Sequence, residues 1–257
     1  MKDKNSTERF SNTVDNYVKH RPSYPKEIIE FLIQECGMSV DAIVADIGSG
    51  TGKLTQLLLE KGNVVYAVEP NQAMREAAEK LLAANPNFHS INGQAEATTL
   101  PEQHFDLITA SQAFHWFDHL KAKTEFQRII KPNGWVALIW NLRDNTKTPF
   151  MQAYEELLRK YGTDYEWAAA ERVELKRIEE FFAPNPVFEK IYTSKQVFDW
   201  EGLKGRLLST SYTPKPGQPG HEAMFEAARQ MFETYQQQGI VELYYNSKIH
   251  YGRFYHH

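Results

Sequence analysis

A doubly wound α/β layer is the fold class this sequence predicts, on three observations. Short apolar runs recur between Ile43 and Trp140, helix-patterned stretches separate them, and a glycine-rich turn follows the first run. Strands that are apolar along their whole length must be covered on both faces. Helices between such strands imply right-handed crossovers and a parallel sheet.

The elements follow in order. Ile43-Val-Ala-Asp-Ile47 reads as the first strand, ending in glycines, with Leu54 to Leu59 as its helix, closed by Lys61-Gly62. Val64 to Val68 is the second strand. Asn71 to Ala84 is the second helix, with Asn71 as its N-cap. Phe88 to Ile91, Phe105 to Ala110 and Trp135 to Trp140 supply three more strands, and a helix fills His119 to Ile130. Beyond Asn141, residues Phe150 to Phe182 are charged and helical in period, with no strand among them. Val187 to Trp200 reads as a strand pattern broken at Thr193-Ser194, Glu222 to Gln238 as an amphipathic helix, and Val241 to Tyr251 as a closing strand. The organisation expected is an N-terminal helical, substrate-gating segment (1–42), an α/β core (43–142), a helical cap (143–186) and C-terminal strands and helices completing sheet and cap (187–257).

Composition limits the function classes. The 257 residues are 42% hydrophobic, enough for a sizeable core, and a net charge of −4 without any block of basic residues disfavours a nucleic-acid or membrane-surface partner. Cys36 is the only cysteine, so an intrachain disulfide is impossible and no thiolate metal site is expected. The N-terminus is polar, and the apolar run Trp135 to Trp140 is far shorter than the ~20 residues of a membrane span. A cytoplasmic protein is the expectation. Oligomeric state stays open.

The turn Asp46-Ile-Gly48-Ser49-Gly50-Thr-Gly52 carries the chemistry. Glycines there let the backbone turn sharply and approach a ligand at the carboxyl edge of the sheet, beside a helix N-terminus. The dinucleotide fingerprint G-x-G-x-x-G needs a glycine where Lys53 stands, and no G-K-[ST] follows, so the loop suits a ligand without a pyrophosphate. Glu69, ending the second strand, is placed to accept the hydroxyls of an adenosine ribose. Met74 lies one turn into the next helix, to pack on the adenine or in the core.

Asp46-x-Gly48-x-Gly50-x-Gly52, then Val68-Glu69-Pro70-Asn71, then Gly93-Gln94-Ala95-Glu96 before Leu100-Pro101, resemble the successive motifs of class I S-adenosylmethionine-dependent methyltransferases. The resemblance covers Ile43 to Trp140 and implies a Rossmann-like seven-stranded sheet with a helical cap. It implies that S-adenosylmethionine is the cofactor. Asp46 and the loop Gly48, Ser49, Gly50 and Gly52 would hold its methionine part, Glu69 the ribose, and Gln94, Ala95 and Glu96 the adenine edge, with Pro70 also among the cofactor residues. Ser111 would sit beside the amino group. Tyr17-x-x-x-Arg21-Pro-x-Tyr24-Pro25, Ala113-Phe-His115-Trp116-Phe117 and Trp140-Asn141-Leu-Arg143-Asp144 resemble the small-molecule branch that includes trans-aconitate methyltransferases.

Independent chemistry supports those positions. Tyr17, Trp116 and Phe117 can offer aromatic faces to a sulfonium, while Phe114 and Phe117 also suit core packing. His115 is a candidate base for a hydroxyl or amine acceptor, or alternatively a helix cap. Arg21 and Arg143 suit a carboxylate of cofactor or substrate, or an internal ion pair. An acceptor that is itself a carboxylate needs no base. Tyr17, Arg21, Tyr24, Trp116, Asn141 and Arg143 are the candidate substrate residues, and methyl transfer to a small molecule is the expected activity. The alternatives are a non-catalytic S-adenosylmethionine-binding protein, an NAD-dependent oxidoreductase, which Lys53 disfavours, and methylation of RNA or protein.

Overall fold

The computed structural model describes residues 24–163, 165 and 175–254. The described strands form one seven-stranded sheet in the order β3-β2-β1-β4-β5-β7-β6. These are β1 (Ile43–Ile47), β2 (Val64–Val68), β3 (Phe88–Ile91), β4 (Phe105–Ser111), β5 (Ile130–Arg143), β6 (Val187–Phe198) and β7 (Val241–Gly252). The first five are parallel, and β7 inserts antiparallel between β5 and β6. The chain winds outward from β1 to β3 and then returns to β4 beside β1. In open α/β sheets the carboxyl edge at such a switch point is where ligands bind.

The helices among the described residues are α1 (Lys26–Gln34), α2 (Lys53–Leu59), α3 (Gln72–Leu82), α4 (His119–Ile129), α5 (Pro149–Tyr161), α6 (Leu175–Phe182), α7 (Trp200–Leu208) and α8 (His221–Tyr235). Side chains of the central strands alternate between two cores, as a period of two requires. Ala45, Ile47, Ile108, Val136, Leu138 and Trp140 meet α4 and α6 on one face. Val44, Val65, Leu107, Ala137 and Ile139 meet α1 and α2 on the other.

A third core forms beyond the sheet, where α5, α7 and α8 pack with Phe198, Val241, Leu243 and Tyr245 from the ends of β6 and β7. The segment expected as cap is thus divided. Helix α5 joins this third core, whereas Ile178, Phe181 and Phe182 of α6 pack beneath the sheet with Phe126 of α4. A separate correction concerns β6, which runs unbroken through Thr193 and Ser194, paired with Asn246 and Tyr245. It is an edge strand with much of its length exposed, so burial imposes no clean alternation on its sequence.

Candidate functional site

The glycine loop closes on itself and on β2. Gly48 and Ser49 donate their backbone N–H groups to the Val68 carbonyl at 2.8 and 3.1 Å, and Gly52 donates to the Ser49 carbonyl at 3.0 Å. Gly50 donates to Glu69 Oε2 at 2.9 Å. Four N–H groups that could have faced a pyrophosphate are therefore engaged within the protein, in line with the misplaced third glycine. Gly48 has φ +69° and Gly52 φ +80°, backbone that favours glycine. A Cβ at Gly48 would stand 2.5 Å from the Cβ of Ala113, which shows how closely the β1 and β4 loops meet.

Glu69 is buried at the end of β2. Its Oε1 accepts the N–H of Asn71 at 2.8 Å, complementing the Gly50 bond on Oε2, and each oxygen keeps a second lone pair for a ligand hydroxyl. Burial raises its pKa, and the two backbone donors oppose that rise. Asn71 caps α3 by accepting from the Met74 N–H, as the sequence predicts. Met74 is buried, and its sulfur would lie 3.8 Å from a Cβ placed on Gly50. Pro70 is half-buried beside it.

Asp46 lies beneath the loop. It is 0% exposed, and its carboxylate accepts from Thr55 at 2.7 Å and Thr109 at 2.9 Å, so it ties α2 and β4 to β1 beneath the loop. Burial pushes its pKa up to about 6 against those two hydroxyls. These two bonds hold the loop that follows β1 in place. Ser49 is buried in the loop and Ser111 half-buried at the end of β4.

Ala95 is buried, Glu96 half-buried and Gln94 exposed, in a loop closed by a bridge between Gln94 and Ala97. Glu96 Oε1 accepts the Asp118 N–H at 2.6 Å, linking this loop to the start of α4. Glu125 holds the same loop from below, accepting the Thr98 N–H at 2.9 Å while paired with Arg128 at 2.7 Å.

After β4 the chain turns sharply. Gln112 adopts φ +55° and is held by its N–H on the Ile139 carbonyl and its amide on the Asn141 carbonyl. A non-glycine residue in that region is strained, and such strain concentrates at functional turns. The turn leads into a single 3-10 turn, Phe114–Trp116. Phe114 is core, stacked on His119 at 4.3 Å and edge-on to Phe181. His115, Trp116 and Phe117 are half-buried, with the Phe117 ring 3.6 Å from a Cβ on Gly48. Of the three, Phe117 stands against the glycine loop and packs on the core beneath the sheet.

Of the candidate substrate residues, Tyr17 and Arg21 lie outside the described residues, and Tyr24 precedes α1 packed against the α1–α2 face. Asn141 Oδ1 accepts from Ser247 of β7 at 2.5 Å. Arg143 is buried in an internal pair with Glu155, Nη2 to Oε2 at 3.4 Å, and donates to the hydroxyls of Tyr165 at 2.6 Å and Tyr212 at 3.1 Å.

Sequence reasoning passed over several members of the site. Thr55 and Thr109 were invisible because they matter only through Asp46. Thr51 sits inside the glycine motif, yet its hydroxyl is buried with no hydrogen-bond partner among the described residues. An orphaned buried hydroxyl in a ligand loop is satisfied when a polar ligand binds there.

Glycine-loop N–H groups turned inward and a buried carboxylate just past β2 fit a nucleoside cofactor lacking a pyrophosphate. Residues 45–138 match the family model of the methyltransferase domain. That segment is similar to methyltransferase domains. An uncharacterized methyltransferase of Schizosaccharomyces pombe is 34% identical over 152 residues, 59% of this chain and 59% of that protein. An uncharacterized methyltransferase of Mycobacterium bovis is 38% identical over 135 residues, 52% of this chain and 53% of that protein. The match thus spans little more than half the length of these curated relatives. A solved structure from Anaeromyxobacter dehalogenans, provisionally named a type II methyltransferase, shares the fold with a TM-score of 0.67 at 21% identity, covering 92% of this chain and 99% of that one. The YcgJ protein of Bacillus subtilis does so with a TM-score of 0.58 at 18% identity, covering 91% and 100%. Seven strands in this order, with helices on both faces, are the methyltransferase-type Rossmann-like fold. Among the described residues, no helix is long and apolar enough to cross a membrane, and no three His, Cys, Asp or Glu side chains are grouped to hold a metal.

Proposed function

We propose that the chain is an S-adenosylmethionine-dependent methyltransferase acting on a small molecule, a carboxylate among the candidate acceptors, in the cytoplasm. The observation that carries this reading is the engagement of the glycine-loop N–H groups by Val68 and Glu69, which leaves a cradle without a phosphate site. The orphaned Thr51 hydroxyl and the unused lone pairs of Glu69 supply polar partners for a nucleoside with an amino-acid tail. Glu69 binds the ribose diol, Pro70, Met74, Gln94, Ala95 and Glu96 surround the adenine, and Ser49, Thr51 and Ser111 hold the methionine part.

When bound, the cofactor supplies an electrophilic methyl group on a sulfonium. The chain's own residues do the remaining work. Trp116 and Phe117 present aromatic faces on the turn after β4, where attraction to a cation amounts to about 0.5–2 kcal/mol. Their bulk also excludes water. His115, on the same turn, takes the proton of a hydroxyl or amine acceptor. For a carboxylate acceptor no base is needed, and orientation in the dry cleft carries the rate.

The test is turnover. Purified protein is incubated with methyl-labelled S-adenosylmethionine and a panel of carboxylates, phenols and amines. Label in a small product, with stoichiometric S-adenosylhomocysteine, is expected. Binding of the cofactor without label in any member of the panel favours the non-catalytic alternative instead.

A further inference from the structure

The cap encloses a polar cluster whose charges do not balance. Arg143, at the end of β5, and Arg206, on α7, are 9% and 2% exposed. Arg143 has Glu155 as its counter-ion, and Glu155 is shared with the half-exposed Arg159 at 3.1 Å. Arg206 donates to Tyr245 Oη at 3.4 Å and Ser209 Oγ at 3.2 Å. No carboxylate among the described residues pairs with it. Two buried guanidiniums therefore face one buried carboxylate. A buried charge left without a counter-charge is strongly unfavourable unless something supplies one.

A second observation points the same way. Tyr154 is 0% exposed, and its hydroxyl has no hydrogen-bond partner among the described residues. The Arg143 guanidinium lies 5.3 Å from its ring centroid. Arg143 stands opposite Tyr245 in the β5–β7 ladder, and Arg206 reaches the Tyr245 hydroxyl, so the two arginines meet at the same part of the cap. An orphaned donor beside a buried guanidinium is the complement of an oxyanion.

The location connects the cluster to the methyl-transfer cleft. Ile139 pairs with Ser111 across β5 and β4, and Arg143 lies four residues farther along β5. At ~3.3 Å per residue the step is roughly 13 Å, along the same carboxyl edge of the sheet.

We propose that the cap cluster binds the oxyanion of the methyl acceptor, a carboxylate or a phosphate, between Arg206 and Arg143, with the Tyr154 hydroxyl as a further donor. This assignment deepens the methyltransferase reading and rests on it for the word acceptor. The anion site itself stands on the cluster alone. Arg206 sets specificity for charge, and the internal pair of Arg143 with Glu155 holds the second guanidinium in place.

The test is calorimetric titration of the full chain with succinate, citrate and inorganic phosphate at constant ionic strength, with and without S-adenosylhomocysteine. Saturable binding of a carboxylate or of phosphate is expected, and which of the two binds identifies the class. Arg206→Gln should weaken that binding at least tenfold. Tyr154→Phe, which keeps the packing and removes only the hydroxyl, should weaken it three- to tenfold. S-adenosylhomocysteine affinity should change less than twofold in either variant. If Arg206→Gln does not fold, Tyr154→Phe alone decides. The proposal is overturned if none of the three anions binds the folded protein, or if the folded variants bind as wild type does. Anion binding that is lost in Tyr154→Phe, in a protein that ignores S-adenosylhomocysteine, would leave the anion site standing and remove the methyltransferase reading.

Discussion

The glycine-loop end of the sheet and the cap behind β5 are both dry and polar, but they are made differently. At the loop, one continuous stretch supplies nearly everything. Asp46 to Gly52 turns back on β2 through its own N–H groups, and both buried carboxylates are satisfied by neighbours. In the cap, side chains from β5, α5, α7 and β7 converge from far apart in sequence, and a guanidinium and a hydroxyl are left over. A site written in backbone is rigid and reads from sequence. A site written in distant side chains is adaptable and does not.

Four perturbations bear on that contrast, and the largest falls in the cap. Arg143→Met leaves Glu155 with the exposed Arg159 as its one remaining ion-pair partner among the described residues, and breaking one side of a buried pair costs about 3–5 kcal/mol. Denaturant melts should register that loss. A change below 1 kcal/mol would mean the pair is not closed to solvent.

At the loop, Gly48→Ala combines left-handed backbone with a 2.5 Å clash against Ala113. The expected loss is about 2–5 kcal/mol, with S-adenosylhomocysteine binding falling in parallel. Wild-type stability in this variant would show that the β1 and β4 loops do not touch as described.

Asp46 separates the two regions by pH. Its pKa is raised from 3.8 to about 6 by burial, so the folded chain holds this proton more tightly than the unfolded chain does. That contribution to stability is complete below about pH 4 and is lost as pH rises through about 6, a swing of roughly 3 kcal/mol. In Asp46→Asn the difference in stability between pH 4 and pH 7 should shrink by that order. An unchanged pH profile would indicate a solvated carboxylate.

Glu69→Ala is the smallest of the four and acts on binding. It should weaken the cofactor by about 1.5–3 kcal/mol, as for hydrogen bonds to a charged group. Because the Glu69 pKa is raised, wild-type affinity should also decline on the acid side as the carboxylate takes its proton. An isothermal titration at several pH values reads both effects.

Particular residues show where the sequence was legible. The five strands between Ile43 and Trp140, the Asn71 cap and the presence of two late strands follow from local apolar period and a single capping side chain. The continuity of β6 did not, because an exposed edge strand needs no alternation. Phe181 and Phe182 read as part of a cap, yet pack under the sheet, since an amphipathic period says which face is buried but not against what. Arg143 was ambiguous between ligand and ion pair. Its partners stand 12, 22 and 69 residues away, and no local pattern encodes them. Arg206 and Tyr154 carry no motif at all, and their interest arises only from what the fold leaves unpaired around them.

The central claim is that the glycine loop and Glu69 hold a nucleoside cofactor without a pyrophosphate. Calorimetric titration of the purified chain, stripped of copurified ligand, with S-adenosylmethionine, S-adenosylhomocysteine and NAD tests it most directly. Saturable binding of the two sulfur compounds and no heat from NAD is the predicted result. Binding of NAD alone, or of none of the three to folded protein, would contradict it.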